Sequence, residues 1–320
     1  MRYQELGLRE FNEEQSTLGF TLIAPVHGFT VYLINMLGEV VHEWKLPEKL
    51  GSLAYLLPGG HLLTSVLTSE GPPIIEGKGG HIQEFDWEGN LVWEHIDHAQ
   101  HHDFRRLANN NTMYLGWDEM TNKEASRVKG GIPGTERNGK IYSDFIKEIT
   151  PDGKVQWEWH ARDLIIEDYP MATDCHRFEF AHANACAPAP GGNYLINFRH
   201  LDMMAVIDKG TKKFLWQHRE RNWGHQHNAE FLKNGNITFF SNGMNNDDVN
   251  DDNTYKLEQV RVNMATKASM AIENDQLKPT PSLLRLATDM IVRMPMRMYE
   301  YFFPSAAETC PLSERSMLLL

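Results

Sequence analysis

Three histidines stand just ahead of three similar turns. His102-Asp103-Phe104 leads into Asn109-Asn110-Asn111, His182-Ala183-Asn184 into Gly191-Gly192-Asn193, and His225-Gln226-His227 into Asn234-Gly235-Asn236. If the hairpins are copies of one architecture, these histidines occupy equivalent positions and converge. His182 and Asn184 lie two apart, as do His225 and His227, so in a strand each pair shares one face. Arg199 ends the run Tyr194-Leu195-Ile196-Asn197-Phe198 that leaves the His182 turn, and its side chain can return to the same place. Imidazoles, an amide and a guanidinium together make a cationic, hydrogen-bond-donating pocket. That chemistry suits a tetrahedral oxyanion, a sulfate or phosphate ester. An imidazole can also be the nucleophile, dividing one hard group transfer into two easier ones. No Gly-x-x-x-x-Gly-Lys loop is present, so a nucleotide donor is not indicated. Converging histidines also suit zinc or non-haem iron, but Arg199 opposes that reading because a guanidinium repels a cation. A lone histidine before a turn is usually a cap or a packing residue; the threefold recurrence argues for chemistry.

The third copy offers two candidates for the nucleophile. His102 precedes Asn111 by the same distance as His227 precedes Asn236, and Asp103 corresponds to Asn228. His225 has no such counterpart. Repeat alignment therefore selects His227, with His225 one pleat nearer the rim, positioning substrate. Alanine at either position is expected to leave the fold equally intact, since neither change removes a large apolar side chain. An imidazole titrating near about pH 6.5 predicts a bell-shaped or one-limbed pH profile.

The elements that must position these residues are hairpins. A tryptophan hairpin spans 33–44, with Leu37-Gly38-Glu39 at its turn and Trp44 at its end. It recurs over 82–94 with Trp93, over 146–157 with Trp157, and more loosely over 206–216 with Trp216. Asp-Gly and Glu-Gly turns between alternating apolar residues are strong hairpin signals. Each tryptophan hairpin is followed by a second hairpin around an Asn-Gly or Gly-Gly turn, and two hairpins make a four-stranded sheet. The tryptophan spacing approaches the period of propeller blades, about 40–50 residues, with insertions. The predicted fold is an all-β β-propeller with about four blades recognisable. A β-sandwich of the same hairpins is the alternative, and it does not repeat one motif in this way. Two insertions, 118–142 and 163–180, follow the histidine hairpins, either as pocket-shaping loops or as solvated excursions.

Composition narrows the class. The chain has 320 residues, 41% hydrophobic and 23% charged, with a net charge of −12. No basic stripe supports a nucleic-acid partner. Cys175, Cys186 and Cys310 form no disulfide framework and no Cys-x-x-Cys zinc pair. The N-terminus lacks the features of a signal peptide, which predicts a cytoplasmic protein, or a periplasmic or secreted one if the N-terminus is truncated. No apolar run reaches the roughly 20 residues needed to span a bilayer, so no membrane partner is expected.

The repeats are placed at 15–272, and a divergent, partly helical segment at 273–320. After Gly243 the pattern fails: an Asn/Asp run covers 244–253, a degraded hairpin 255–271, and helical spacing 277–303. The closing blades are thus missing or degraded. An open fold, closure by another chain (a homo-oligomer among the options) and a non-native C-terminus all remain. A shifted reading frame over 308–319 would restore a repeat-like segment, which the nucleotide sequence tests.

From about residue 19 to 243 the chain resembles the bacterial arylsulfotransferase family. The resemblance rests on Leu22-Ile23-Ala24-Pro25 with Tyr32-Leu33-Ile34, on segments 84–93, 128–136 and 149–160, on His101-His102-Asp103-Phe104, on His182-Ala183-Asn184, and on His225-Gln226-His227 through Asn236. It implies a six-bladed propeller that moves a sulfuryl group from an aryl sulfate to a phenol without a nucleotide donor, cofactor or metal. It implies His227 as the transiently sulfated residue, and His102, His182, Asn184 and Arg199 as the groups that hold the sulfuryl oxygens and handle protons. The family's exported enzymes carry an N-terminal sandwich domain that this sequence does not show. The rival readings are an inactive propeller scaffold for protein interaction and a metal-dependent propeller enzyme.

Overall fold

The structure, a computed structural model, describes residues 18–74 and 76–243, residues 8, 11, 12 and 16, and the backbone of Lys256–Arg261. The helical reading of 277–303, the boundary at 272/273 and the frame question at 308–319 lie outside the described residues. Among the described residues the regular structure is nearly all strand, and it is a β-propeller: successive antiparallel meanders, with β10–β13 and β11–β14 added as parallel pairs. Among those residues, no helix is long and apolar enough to cross a membrane.

The strands fall into two compact units. One holds β1 (Thr21–Ile23), β2 (Thr30–Ile34) and β3 (Val40–Lys45) as a three-stranded sheet. It also holds β4 (Leu50–Leu56), β5 (Leu62–Leu67), β6 (Gly80–Phe85) and β7 (Leu91–Ile96) as a four-stranded one. The other unit comprises Gly71–Gly77 and Ala99–Leu277. It opens with β8 (Gln100–Arg106) and β9 (Thr112–Glu119). Helix α1 (Asn122–Ala125) and β10 (Gly130–Ile132) follow, and β11 (Tyr142–Ile149) and β12 (Val155–His160) then complete the sheet β12-β11-β9-β8. Next come β13 (Met171–His176), which pairs with β10, and β14 (Glu179–Phe180), which pairs with β11. A meander of β15 (Ala183–Ala189), β16 (Asn193–Phe198), β17 (Met203–Ile207) and β18 (Phe214–Arg219) is followed by β19 (His227–Phe231), β20 (Asn236–Ser241) and β21 (Lys256–Arg261). β21 falls in the predicted degraded hairpin.

Both predicted hairpins are present, in a different phase. Each full sheet opens with the Asn/Gly-turn hairpin and closes with the tryptophan hairpin, as β4–β5 does before β6–β7. The turns explain the recurrence. Asn35, Asp86 and Thr150 each donate their backbone N–H to the carbonyl four residues on, at 3.0, 2.9 and 2.9 Å. Gly38, Gly89 and Gly153 then sit at φ +77°, +85° and +80°, where a β-carbon is strained. The tryptophans clasp one sheet to the next within each unit. Trp44 Nε1–H donates to the Asp86 carbonyl at 2.9 Å, and Trp157 Nε1–H to the Lys209 carbonyl at 2.8 Å. In both cases the acceptor lies in the turn of the next tryptophan hairpin.

Burial follows strand position. β11, central in its sheet, is buried at nearly every residue, whereas β7 at the end of its meander is largely exposed. The two insertions are not separate solvated excursions. They fold on each other through β10–β13, a two-bond Arg127–Glu167 pair at 2.7 and 2.8 Å, and Arg177 donating to Glu136 and the Gly130 and Val128 carbonyls. This packing carries Asp174, Cys175 and Glu179 into the histidine region.

Candidate active site

The site residues lie within the second unit. Its inner strands β8, β15 and β19 are in contact, β15 touching both others. Each breaks register at its histidine: between His101 and Phe104, between Ala183 and Ala185, and between His227 and Glu230. Such bulges bend a strand and re-aim a side chain. They overturn the same-face reasoning from spacing. His182 and His225 stand just before their strands at φ 47° and 64°, and His102 itself has φ 47°. A left-handed residue does not continue the two-residue alternation of a strand.

The histidines nonetheless converge, and Arg199 is the charge they share. It follows β16, its N–H donates to the His182 carbonyl at 2.9 Å, and its positive charge lowers the pKa of His102, His182, His200 and His227. The His102 and His182 ring centroids are 4.8 Å apart, and those of His182 and His200 4.4 Å. Gly77 backs the His102 ring: its carbonyl accepts the His102 N–H at 2.6 Å, and a β-carbon there would lie 2.2 Å from the ring.

His227 is buried, and its Nδ1 lies 2.7 Å from Asn242 Oδ1. Its Nε2 is buried with no hydrogen-bond partner among the described residues. Burial first, then Arg199, holds the ring down to about 3, outweighing Asn242. The imidazole is therefore neutral, with Nδ1–H donating to Asn242 and an unshared pair on Nε2.

His225 is the opposite case. It is buried, yet Asp202 Oδ1 lies 3.1 Å from its Nδ1 and Asp174 Oδ2 3.0 Å from its Nε2. The Arg199 carbonyl also faces Nδ1 at 3.1 Å. Burial alone would depress this ring, but the bond to Asp202 and the Cys175 sulfur outweigh it and raise the pKa to about 10. An imidazolium has no free pair, so His225 is a fixed cation and not a nucleophile. It lies in a left-handed turn after Gly224, not one pleat along β19.

His182 Nδ1 and Glu179 Oε2 are 2.6 Å apart, both buried. Burial, then His200, His102 and Arg199, pushes His182 well below its usual range. Burial, then Asp144 and Glu76, pushes Glu179 well above its own. With the carboxyl protonated, Glu179 O–H donates to Nδ1 and the His182 proton sits on Nε2. Asn184 turns to the protein: its amide N–H donates to the Gln226 carbonyl at 3.0 Å and its oxygen accepts from Asn197. Asn197 also donates to the Gln226 carbonyl at 2.8 Å, so both amides fix the backbone just before His227.

Spacing in the sequence did not reveal Glu179, His200, Asp174, Asp202 or Asn242. The first four are delivered by insertions and turns that follow no repeat. Asn242 sits at the end of β20, and only the hairpin pairing of β19 with β20 would have placed it beside His227. A surface groove of about 720 Å³, lined by Trp159, Leu164, Tyr169 and Phe214 among others, contains none of the site histidines named above.

The residues that form this constellation fall inside a match to a known family. A family profile described as Arylsulfotransferase (ASST) matches residues 56–280. The chain belongs to that family. No curated protein matches the chain. Similar solved structures include a protein of unknown function from Bacteroides caccae, at 14% identity and a TM-score of 0.46, covering 77% of this chain and 73% of that one. A catalytically inactive virginiamycin B lyase from Staphylococcus aureus with quinupristin has 12% identity and a TM-score of 0.46, covering 88% and 75%. Hydrazine synthase from Kuenenia stuttgartiensis has 11% identity and a TM-score of 0.47, covering 75% and 67%. None of these three lends the chain a property.

Proposed function

We propose that the protein transfers a sulfuryl group from an aryl sulfate ester to a phenol, by way of a sulfated His227. The observation that carries this reading is the His227 ring: neutral, buried, held through Nδ1 by Asn242, with Nε2 unengaged. In the first half-reaction the Nε2 pair forms a bond to sulfur, and the S–O bond breaks with its electrons leaving on the aryl oxygen. In the second, a phenol oxygen attacks the same sulfur and the N–S pair returns to Nε2. Arg199 and the His182 N–H are the donors suited to the sulfuryl oxygens, whose charge such preorganised groups stabilise, and the His102 N–H is suited to the aryl oxygen. The His225 imidazolium adds a fixed positive charge. Asn184 acts through the Gln226 carbonyl.

A metal at these histidines would meet the same Arg199 charge that lowers their pKa values. Incubation with an aryl sulfate and a second phenol tests the proposal. Transfer with ping-pong kinetics and a sulfated peptide carrying His227 is expected. A folded sample that transfers nothing at any pH would leave the interaction-scaffold reading in its place, and stoichiometric zinc or iron would favour the metal one.

A further inference from the structure

Beside His102 lies a second buried constellation, His101 and Asp144, that the transfer chemistry above does not use. His101 Nδ1 is 2.8 Å from His102 Nδ1. The far nitrogen of His101, Nε2, is 3.3 Å from Asp144 Oδ1, with His101 and Asp144 0% and 1% exposed. His101 Nε2 has no closed hydrogen bond among the described residues, and the Asp144 carboxyl is met besides by the backbone N–H groups of Ala183 and Asp144 itself. Trp117 stacks on the His101 ring at 4.2 Å and 18°, which fixes its plane. The sheet imposes the arrangement: β9 lies between β8 and β11, with Asp144 paired to Trp117 and His101 to Leu115.

We propose that Asp144, His101 and His102 form a buried proton relay that protonates the departing phenolate and takes the proton back from the phenol acceptor. This inference rests on the sulfuryl-transfer reading.

Two proton arrangements fit these contacts, and burial selects the neutral one in the resting state. Burial raises Asp144 well above the usual carboxylate range, with Asp118 adding to it. Burial lowers His101 to about 3, and burial with His101 and Arg199 holds His102 well below its usual range. The chain is therefore neutral throughout. Asp144 O–H donates to His101 Nε2, His101 Nδ1–H donates to His102 Nδ1, and the His102 proton lies on Nε2. When the S–O bond breaks, His102 Nε2–H passes to the aryl oxygen. The His101 Nδ1 proton moves to His102 Nδ1, and the Asp144 proton to His101 Nε2. The products are a neutral phenol, two neutral imidazoles and the Asp144 carboxylate; the pair that left with oxygen is now the phenol O–H bond, and the negative charge resides on Asp144. The acceptor phenol gives its proton to His102 Nε2 as its oxygen attacks sulfur, and the three shifts reverse.

The surroundings suit both states. Backbone N–H groups of Ala183 and Asp144 itself favour the carboxylate, and the Gly116 carbonyl favours an N–H on His101. Asp118 and Glu179 are the other acidic groups coupled to Asp144, and His182 is coupled to His101. His101 and Asp144 act through His102 and are positioning residues for its proton.

The test is the sulfation half-reaction measured over aryl sulfates whose leaving phenols range from acidic nitrophenols to basic alkylphenols. In Asp144→Asn the amide still donates to His101 Nε2 but releases no proton. Its deficit should grow with the basicity of the leaving group, reaching about a hundredfold for alkylphenyl sulfates, the scale of general acid catalysis. Partial misfolding lowers every rate alike and leaves this trend untouched. A deficit equal across the series, or none, would overturn the relay. If Asp144→Asn does not fold, the wild-type solvent isotope effect replaces it. A rate that curves against deuterium fraction, from several protons in flight, supports the relay, and a linear or absent dependence overturns it. Failure of the wild type to label His227 would instead remove the sulfuryl-transfer reading itself.

Discussion

Asn242 Oδ1 lies 2.7 Å from His227 Nδ1, at the end of the strand that pairs with the histidine's own. An amide oxygen only accepts, so the ring proton is held on Nδ1 and the pair on Nε2. Asn242→Leu frees the proton to choose either nitrogen. Turnover is expected to drop at least about tenfold, the equivalent of ~1.4 kcal/mol in the barrier. Asn242→Asp keeps an acceptor but favours the charged ring, so the acid limb of the rate profile should move to higher pH. Rate profiles of both variants measure this; an acid limb that stays in place in Asn242→Asp would deny Asn242 its hold on the ring.

His227→Ala and His225→Ala should separate cleanly, and not as the sequence predicts. His227→Ala removes a neutral group and is expected to abolish labelling by an aryl sulfate, at a stability cost under about 2 kcal/mol. His225→Ala removes the cation between Asp174 and Asp202, and Asp202 is buried. The residue 225 N–H stays on Asp202 in this variant, but breaking a buried ion pair still costs up to about 3–5 kcal/mol, so equal folding of the two variants is not expected. Urea unfolding with peptide mapping of the label decides it, and a sulfated His225 would reverse the assignment.

The expected pH profile also changes. Neither His227 nor His225 titrates near 6.5, because burial and Arg199 take His227 down to about 3, and the bond to Asp202 with the Cys175 sulfur takes His225 up to about 10. The rate should be level across neutral pH and fall above about 10, as His225 loses its charge. Stability behaves differently. Folded His101 and His227 stay neutral until about 3, whereas unfolded imidazoles take up protons below ~6.5. The unfolded state thus binds more protons in that window, and stability falls with falling pH by about 1.4 kcal/mol per unit for each group, roughly 3 for the pair. His225, with its folded pKa raised, contributes stability that is complete below ~6.5 and is lost as pH rises through about 10. Circular dichroism beside kcat/KM from pH 5 to 10 checks both. A limb near 6.5 in a fully folded sample contradicts the burial argument.

Gly77→Ala is expected to disable the site without touching a catalytic group. Its β-carbon would overlap the His102 ring at 2.2 Å, and its φ of +71° is strained for alanine. The ring must move, breaking its 2.8 Å contact with His101. A loss of about tenfold or more in kcat is expected, since small misplacements of reacting groups are costly. The measurement is turnover in a variant whose circular dichroism matches wild type, and undiminished kcat would contradict the packing.

The repeats were legible because local chemistry wrote them. Gly38, Gly89 and Gly153 mark one turn, and Trp44 and Trp157 each need a hydrogen-bond partner when buried. The histidines at 102, 182 and 227 were legible for a similar reason, as each stands just ahead of the Asn/Gly turn of the other hairpin, at 109–111, 191–193 and 234–236. The bulges were not legible, since a register shift depends on which residue of the partner strand pairs with which. They are why His182 and Asn184 do not point together, and why His225 leaves the strand face assigned to it. Glu179, Asp174 and Asp202 were hidden for another reason. They arrive from insertions and tight turns that repeat nowhere, so periodicity carries no information about them.

The tryptophan clasps give the architecture a way to vary. Trp44 and its acceptor are 42 residues apart and Trp157 and its acceptor 52, yet each indole ends on the carbonyl of an equivalent turn. The span between anchor and acceptor is thus elastic in length while its ends are pinned. Residues gained or lost between the pins accumulate as the inserts that deliver Asp174 and Glu179, and the sheets beneath keep their registry. Any exchange of 118–142 or 163–180 therefore has to take both as a matched pair, because β10 and β13 must still find each other.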